Sequence, residues 1–326
     1  TRLPCLVDRV PCVPVAYVRL ASVFLFPLIH RVLSFPWFPK TIPAPPTVDR
    51  GMVGQEAPYG LPSQAGRGGF TLLARIDTQI VTVLIGLSSA AVYEISLSVA
   101  SIQTLLSTPL GQFHGPRLQT AIERGNTATA QHLLTTITRA LYALLGCFVV
   151  AAILNAEILA RLLFSAKYAE AAPYVQLLSF AFFFQGVSNV LLSSLNSFGL
   201  PKQRMIVVYI AAAVNLVGSA IGAVFFDMIG VAAVSTAVFA VLLISAGVSI
   251  DWYTELDSPW WYMSIGSAAV LAWSGISYAA SPFVGNIWES IPVTLGLLTG
   301  FVSSLFLVRL ITPQMLRDLV KDIVGH

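Results

Sequence analysis

Long apolar runs separated by short polar stretches dominate the chain from residue 70 onward. Each run is roughly 18–25 residues long, the length that an α-helix needs to cross the hydrocarbon core of a bilayer. The pattern therefore predicts an all-α fold, a polytopic membrane bundle of about eight transmembrane helices. We place these helices at 70–88, 91–113, 137–155, 171–195, 204–226, 229–250, 260–280 and 288–310.

Two linkers between the predicted helices are longer and more polar than the others. Residues 117–136 are amphipathic, which predicts a connector that lies at the membrane interface. Residues 156–170 predict a short interfacial helix followed by a re-entry turn. The Gly-x-x-x-Gly spacing of Gly218 with Gly222, and of Gly296 with Gly300, predicts close packing between helices.

The chain divides by pattern into three parts. Residues 1–69 are rich in proline, and their most apolar stretch is interrupted by charged residues, so we expect a poorly structured or non-native segment. An interfacial or single-span segment, and a truncated or misframed gene product, are the alternatives for this part. Residues 70–250 predict a six-helix bundle, and residues 251–326 predict two additional transmembrane helices and a cytoplasmic tail.

Composition agrees with a membrane protein and excludes several other classes. The mean hydropathy is +0.80 and only 10% of residues are charged, whereas a soluble domain is about 25% charged. The net charge of +3 gives no signal for nucleic-acid binding. We therefore expect a multi-pass protein of the cell membrane.

Lysine and arginine are unevenly divided between alternate loops, and this bias predicts orientation. The richer side holds the loops with Arg117, Arg124 and Arg139, then Lys202 and Arg204, then the tail with Arg309, Arg317 and Lys321. This side is predicted to be cytoplasmic, and the C-terminus with it.

Polar residues form a stripe along the first predicted helix. Arg75, Gln79 and Thr82 fall near one line, since each residue of a helix turns by about 100°. Asp77 points in roughly the opposite direction and needs a different partner. The simpler alternatives remain open: Arg75 extends to the headgroups, and Asp77 is favoured near a helix N-terminus by the helix dipole.

The following helices repeat this arrangement. Glu94, Ser98 and Ser101 share one face of the second helix; Gln185 and Asn189 share a face further on, as do Asn215 and Ser219. An unsatisfied polar group in lipid costs several kcal/mol. We therefore expect these stripes to face other helices or a common aqueous chamber, although Glu94 also fits a solvated loop residue.

Several segments resemble a known family in the order in which they occur. The stretch from Arg75 and Asp77 through Gly86 to Tyr93 is similar to the start of the second half of polysaccharide transporters in the multidrug/oligosaccharidyl-lipid/polysaccharide flippase superfamily. Further similar segments are PLGQFHGPRLQTAIERGNTATAQ, LLFSAKYAEAAPYVQLLS, LNSFGLPKQR and IGVAAVSTAVF. The likeness covers about residues 70–250, and it covers residues 260–310 by hydropathy alone.

The resemblance implies a cavity between two helical bundles and alternating access that carries a lipid-linked oligosaccharide or polysaccharide precursor across the membrane. It begins at the seventh helix of the family, so we expect the other bundle to come from a missing N-terminal part or a second copy. Under this hypothesis Arg75 binds the anionic linkage between the lipid and the sugar, and the polar stripes bind sugar hydroxyls. Asp77 or Glu94 takes up H⁺ or Na⁺ as the coupling ion. The remaining partners are membrane lipids.

Three other functions stay open. A cation-coupled drug exporter of the same superfamily would place acidic residues in the chamber. A membrane-embedded glycan polymerase or acyltransferase would need paired acids or histidines on large loops, while the loops here are short. A non-functional gene fragment is the last. Because flipping makes and breaks no bond, we expect no enzyme activity, no catalytic residue, no cofactor and no metal site.

Overall fold

The computed structural model describes residues 50–164, 166–284, 286–312 and 315. The chain divides into two compact units, Thr1–Gln55 and Glu56–His326, and the helical bundle belongs to the second. Of the segment 1–69, which is predicted to be poorly structured, residues 1–49 lie outside the described residues. Most of the predicted cytoplasmic tail also lies outside them.

Eight long helices form the described part of the chain, and no strand occurs there. We number them in chain order: α1 Arg50–Ile80, α2 Leu87–Ala100, α3 Thr104–Glu123, α4 Thr127–Leu163, α5 Ala172–Ser197, α6 Pro201–Tyr253, α7 Trp260–Ala280 and α8 Ile287–Leu307. A short π-helical segment joins α1 to α2. Short 3₁₀-helical segments join α2 to α3, α4 to α5 and α7 to α8. The predicted all-α membrane bundle is confirmed.

Within the described residues, seven stretches of helix are long and apolar enough to cross a membrane. One of them, α6, contains 53 residues and is broken at Asp227, whose φ of 60° and ψ of −152° are not helical. A β-carbon added to Gly222 would lie 2.8 Å from the carbonyl of Gly230, so the chain reverses direction at the break. The two arms of α6, 201–226 and 228–253, are therefore an antiparallel hairpin, and they correspond to two of the predicted spans.

The helix boundaries differ from the predicted ones because several helices extend beyond the apolar runs. The first helix begins at Arg50 rather than at residue 70, and α4 continues through 37 residues. A helix of that length measures about 55 Å, well beyond the roughly 30 Å of a hydrocarbon core. Its ends therefore carry polar residues into the interface without any loss of helical structure.

The predicted connector at 117–136 is consequently two helix ends and a tight turn. Helix α3 ends at Glu123, Gly125 has a φ of 65°, and α4 begins at Thr127. The side chain of Asn126 caps α4 by accepting a hydrogen bond from the amide of Thr129 at 3.0 Å. Such a cap satisfies one of the amides that a helix N-terminus leaves without a partner.

Helices α4 and α5 occupy the centre of the bundle. Their contact includes the edge-to-face pair of Tyr142 and Phe183, with ring centroids 5.2 Å apart. Gly186 of α5 lies against Leu145, so that the two helices approach closely. Helix α6 packs along α5. Helices α7 and α8 both pack along α4. The described helices leave a polar face of α1 and α2 uncovered.

Candidate functional site

The buried carboxylate of Asp77 is the centre of a polar cluster between α1 and α6. Its Oδ1 accepts hydrogen bonds from Asn215 Nδ2 at 2.8 Å and from Ser219 Oγ at 3.2 Å. Its Oδ2 accepts from Ser235 Oγ at 2.6 Å. The Asp77 side chain is only 3% exposed, and both arms of α6 contribute to its surroundings.

The hydroxyls of the cluster are also linked to each other. Ser219 and Ser235 both donate to Oδ1 of Asn215, each at 3.3 Å. The buried hydroxyl of Tyr93 faces Asp77 and Ser235 without meeting hydrogen-bond geometry to any described side chain. The cluster thus concentrates carboxylate, amide and hydroxyl oxygens around one buried negative charge.

Sequence analysis found only part of this cluster. It separated Asp77 from Arg75 and placed Asn215 and Ser219 on one helix face, but it did not identify Ser235. Ser219 and Ser235 lie about two helical turns on either side of Asp227. Because the hairpin reverses at Asp227, it brings the two serines together. The break at Asp227 is therefore the signal that could have identified Ser235.

Arg75 lies on the opposite side of α1 and is largely exposed. Its Nη1 is 3.6 Å from Oε1 of Glu94 on α2, and the two side chains are 69% and 43% exposed. This ion pair joins the two predicted polar stripes into one surface. We call this surface the α1–α2 polar face, and its members are Arg75, Gln79, Thr82, Glu94, Ser98 and Ser101.

The other members of the α1–α2 polar face are exposed or half-buried. Three hydroxyls donate to carbonyls of their own helices: Thr82 to Thr78, Ser98 to Glu94, and Ser101 to Ser98. Their donors are therefore satisfied, while their oxygens remain able to accept further hydrogen bonds. A cavity of about 360 Å³ lies beside Arg75 and Gln79, and its other lining residues are all apolar, among them Leu72 and Leu216.

The predicted residues of α5 have a different environment. Gln185 is buried, and its Oε1 has no hydrogen-bond partner among the described residues. Asn189 is half-buried and accepts a hydrogen bond from Arg204 Nη2 at 3.4 Å. The structure therefore brings together the predicted residues of α1 and α2, and it leaves those of α5 inside the bundle.

Comparison with known proteins finds a membrane protein related in sequence and transporters similar in fold. No known protein-family profile matches the chain. The uncharacterised membrane protein MJ1068 of Methanocaldococcus jannaschii is 25% identical over 221 residues, which is 67% of this chain and 43% of that protein.

Two solved structures share the fold. A MOP superfamily transporter from Pyrococcus furiosus superposes with a TM-score of 0.52 and 19% identity, covering 69% of this chain and 51% of that one. The lipid II flippase MurJ, in an inward closed conformation, gives a TM-score of 0.50 and 17% identity, covering 76% and 53%. The chain spans about half the length of these relatives, and its fold is similar to part of each of the two solved structures.

Proposed function

We propose that this chain is one bundle of a membrane transporter that moves a lipid-linked oligosaccharide by alternating access. The observation that carries the proposal is the α1–α2 polar face, in which an arginine and a glutamate are exposed on two stretches of membrane-spanning length, Ala57–Ile85 and Leu87–Glu123, the second of which continues from α2 into α3. A second bundle, from another segment or from a second copy of the chain, would enclose an aqueous chamber against this face.

The energetic argument starts from the cost of exposed charge in lipid. A charged side chain at the centre of a bilayer costs about 2.5–3.5 kcal/mol on insertion scales. Arg75 and Glu94 are both more than two-fifths exposed, so contact with hydrocarbon would leave much of that cost uncompensated. A chamber that contains water and a hydrophilic headgroup removes it.

The chemistry of the face fits an anionic, hydroxyl-rich cargo. The planar guanidinium of Arg75 can bind two oxygens of a phosphate or pyrophosphate linkage at once. Gln79 can both donate to and accept from sugar hydroxyls, while Thr82, Ser98 and Ser101 offer acceptor oxygens. Glu94 holds Arg75 beside the second stripe while the chamber is empty.

We further propose that Asp77 carries the coupling ion. The cluster contains five side-chain oxygens: two from Asp77, the hydroxyls of Ser219 and Ser235 that donate to it, and Oδ1 of Asn215, which accepts from both serines. Carboxylate, amide and hydroxyl oxygens are the donors that hard cations prefer, and the same carboxylate can take up a proton. Either ion would neutralise the charge that α1 carries inside the bundle.

The proposal is tested by two substitutions at Arg75. We expect Arg75→Ala to weaken binding of a polyprenyl-pyrophosphoryl oligosaccharide by roughly tenfold or more, since charge-assisted hydrogen bonds contribute about 1.5–3 kcal/mol. Arg75→Lys should bind with intermediate affinity because an ammonium keeps the charge and loses the bidentate geometry. Binding is measured by native mass spectrometry, which reports contact with the cargo whether or not a second bundle encloses the chamber.

Arg161→Ala is the matched control, because Arg161 is also exposed and paired with a glutamate, Glu157, but lies on α4. It should bind cargo like the wild type. Wild-type affinity in both Arg75 variants would show that this residue does not contact an anionic cargo, and the assignment of the face would fail.

A further inference from the structure

A second arginine lies in an environment that favours a bound anion. Arg204, in the first turn of α6, is only 7% exposed. Its Nη2 makes one long hydrogen bond to the neutral amide of Asn189, and its Nε has no partner among the described residues. No described carboxylate lies within ion-pair distance of it. A buried cation without a counter-charge is costly unless a ligand supplies one.

The neighbours of Arg204 add positive potential. Arg67 of α1 follows Gly66, which packs against Met205 next to Arg204, and the exposed Lys202 lies in the same first turn of α6. The N-terminus of a helix carries a partial positive charge, so it favours anions and disfavours cations. Arg204, Arg67 and Lys202 therefore lie at the same end of the bundle as the N-terminus of α6.

The backbone holds this arrangement in place. Gly66 brings α1 against the start of α6, since a β-carbon there would lie 3.5 Å from the Cα atom of Met205. The hydroxyl of Tyr59 donates to the carbonyl of Asn196 at 2.8 Å and ties α1 to the end of α5. Leu200, at the N-cap position of α6, supplies no side-chain acceptor to the first-turn amides. An anion at this position would accept hydrogen bonds from these amides in place of a capping side chain.

We propose that Arg204, Arg67 and the N-terminal turn of α6 form a phosphate-binding site. Burial, charge repulsion and the helix dipole are each unfavourable without an anion, and each becomes favourable with one. The phosphate can come from the headgroup of an anionic phospholipid or from a soluble phosphate compound. The lysine and arginine bias predicts that this end faces the cytoplasm, where anionic lipids attract basic residues near the membrane surface.

The site is independent of the cargo proposal, because it uses none of the residues of the α1–α2 polar face. Arg75 variants should leave phosphate binding at Arg204 unchanged, and Arg204 variants should leave cargo binding at Arg75 unchanged. Failure of one proposal is thus distinguishable from failure of the other.

The test compares thermal unfolding of the full chain in three nanodisc conditions: phosphatidylcholine alone, phosphatidylcholine with phosphatidylglycerol, and phosphatidylcholine with inorganic pyrophosphate. We expect phosphatidylglycerol, pyrophosphate or both to raise the Tm of the wild type. A response to phosphatidylglycerol alone identifies a lipid headgroup, and a response to pyrophosphate identifies a phosphate group without the lipid. Both results support the site when Arg75→Ala keeps the response, because pyrophosphate can also bind Arg75.

Substitution of Arg204 separates anion binding from a purely structural role. In phosphatidylcholine alone, Arg204→Gln should have a Tm equal to or above that of the wild type, because it removes an unpaired buried charge. With the anion present the order should reverse, and the variant should bind at least about tenfold more weakly. Arg161→Gln, which removes an exposed arginine on α4, should respond like the wild type.

Arg67→Gln keeps the test decisive if Arg204→Gln does not fold, since Arg67 is exposed. Its apparent affinity for the anion should fall roughly fivefold, as expected for one cation near a phosphate. The proposal is overturned if the wild type has the same Tm in all three conditions. It is also overturned if Arg204→Gln, or Arg67→Gln in its place, keeps the full response to the anion.

Discussion

Arg75 and Asp77 are two residues apart and lie in opposite environments, because two steps along a helix turn the side chain by about 200°. Arg75 is exposed beside Glu94, while Asp77 is enclosed by hydrogen-bond donors from α6. A charge pair so close in sequence therefore serves two separate regions of the molecule. One faces the surface that we assign to cargo, and the other joins α1 to α6.

Substitution at Asp77 should separate stability from ion binding. Asp77→Ala removes the acceptor for Asn215, Ser219 and Ser235, so we expect the free energy of unfolding to fall by about 2–4 kcal/mol, in line with buried donors left without partners. Asp77→Asn keeps an acceptor of the same shape and should fold. It should lose any stabilisation by the coupling ion.

The measurement is the Tm of the wild type and of Asp77→Asn in sodium chloride and in choline chloride at equal ionic strength, repeated over a range of pH. A rise in Tm with sodium at fixed pH identifies a cation, and a rise on acidification alone identifies a proton. Equal responses of the two proteins to both ions would remove Asp77 as the coupling residue.

Sequence periodicity was sufficient to separate these residues, yet it could not determine their partners. The position of Arg75 with Gln79, and the opposite direction of Asp77, follow from helix geometry alone. The contact of Asp77 with Ser235 depends on the reversal of α6, which is a tertiary feature. Arg204 was treated only as a charge in a loop, because burial by α1 and α5 is not visible in a local pattern.

Within the hairpin of α6, small residues determine how closely the two arms pack, whereas hydropathy predicts only that the arms exist. Its two apolar arms were both predicted, since the apolar run pauses near Asp227. Their close approach depends on Gly222 and Gly230, whose backbones are in contact across the hairpin. Gly218 lies against Val234 on the same interface. The Gly-x-x-x-Gly spacing therefore indicated real packing at this position.

Gly222→Ala should destabilise the hairpin by about 1–3 kcal/mol, the usual cost of overpacking. The added β-carbon would lie 2.8 Å from the backbone of Gly230, which cannot move aside like a side chain. The measurement is thermal unfolding in detergent. Because the arms also hold Ser219 and Ser235, ion-dependent stabilisation at Asp77 should weaken with it.

Gly296→Ala is the control, because Gly296 belongs to the other Gly-x-x-x-Gly pair and has no atom within 4 Å of an added β-carbon. Alanine is favoured over glycine within a helix by about 1 kcal/mol, so this variant should be as stable as the wild type or slightly more so. Equal losses of stability in both variants would contradict the contact across the hairpin.

For the whole molecule, the central feature is an apolar bundle with one polar face that its own described helices leave uncovered. The chain spans 43–53% of the relatives that it resembles, and in our proposal a second bundle encloses a chamber against this face. The helical architecture could be predicted from the sequence because apolar length and periodicity determine it. The depth of the proposed chamber could not, since in that proposal it depends on a surface outside the described helices.

The most direct test of the account is the water accessibility of the α1–α2 polar face in membranes. Cysteines are introduced singly at Gln79, Ser98 and Val217 in a variant without Cys5, Cys12 and Cys147, and are labelled with a membrane-impermeant maleimide. Val217 is 60% exposed on the first arm of α6, well away from the break at Asp227, and represents the lipid-facing surface. We predict that the cysteines at 79 and 98 react while the one at 217 does not. Equal protection of all three would contradict an aqueous chamber at this face.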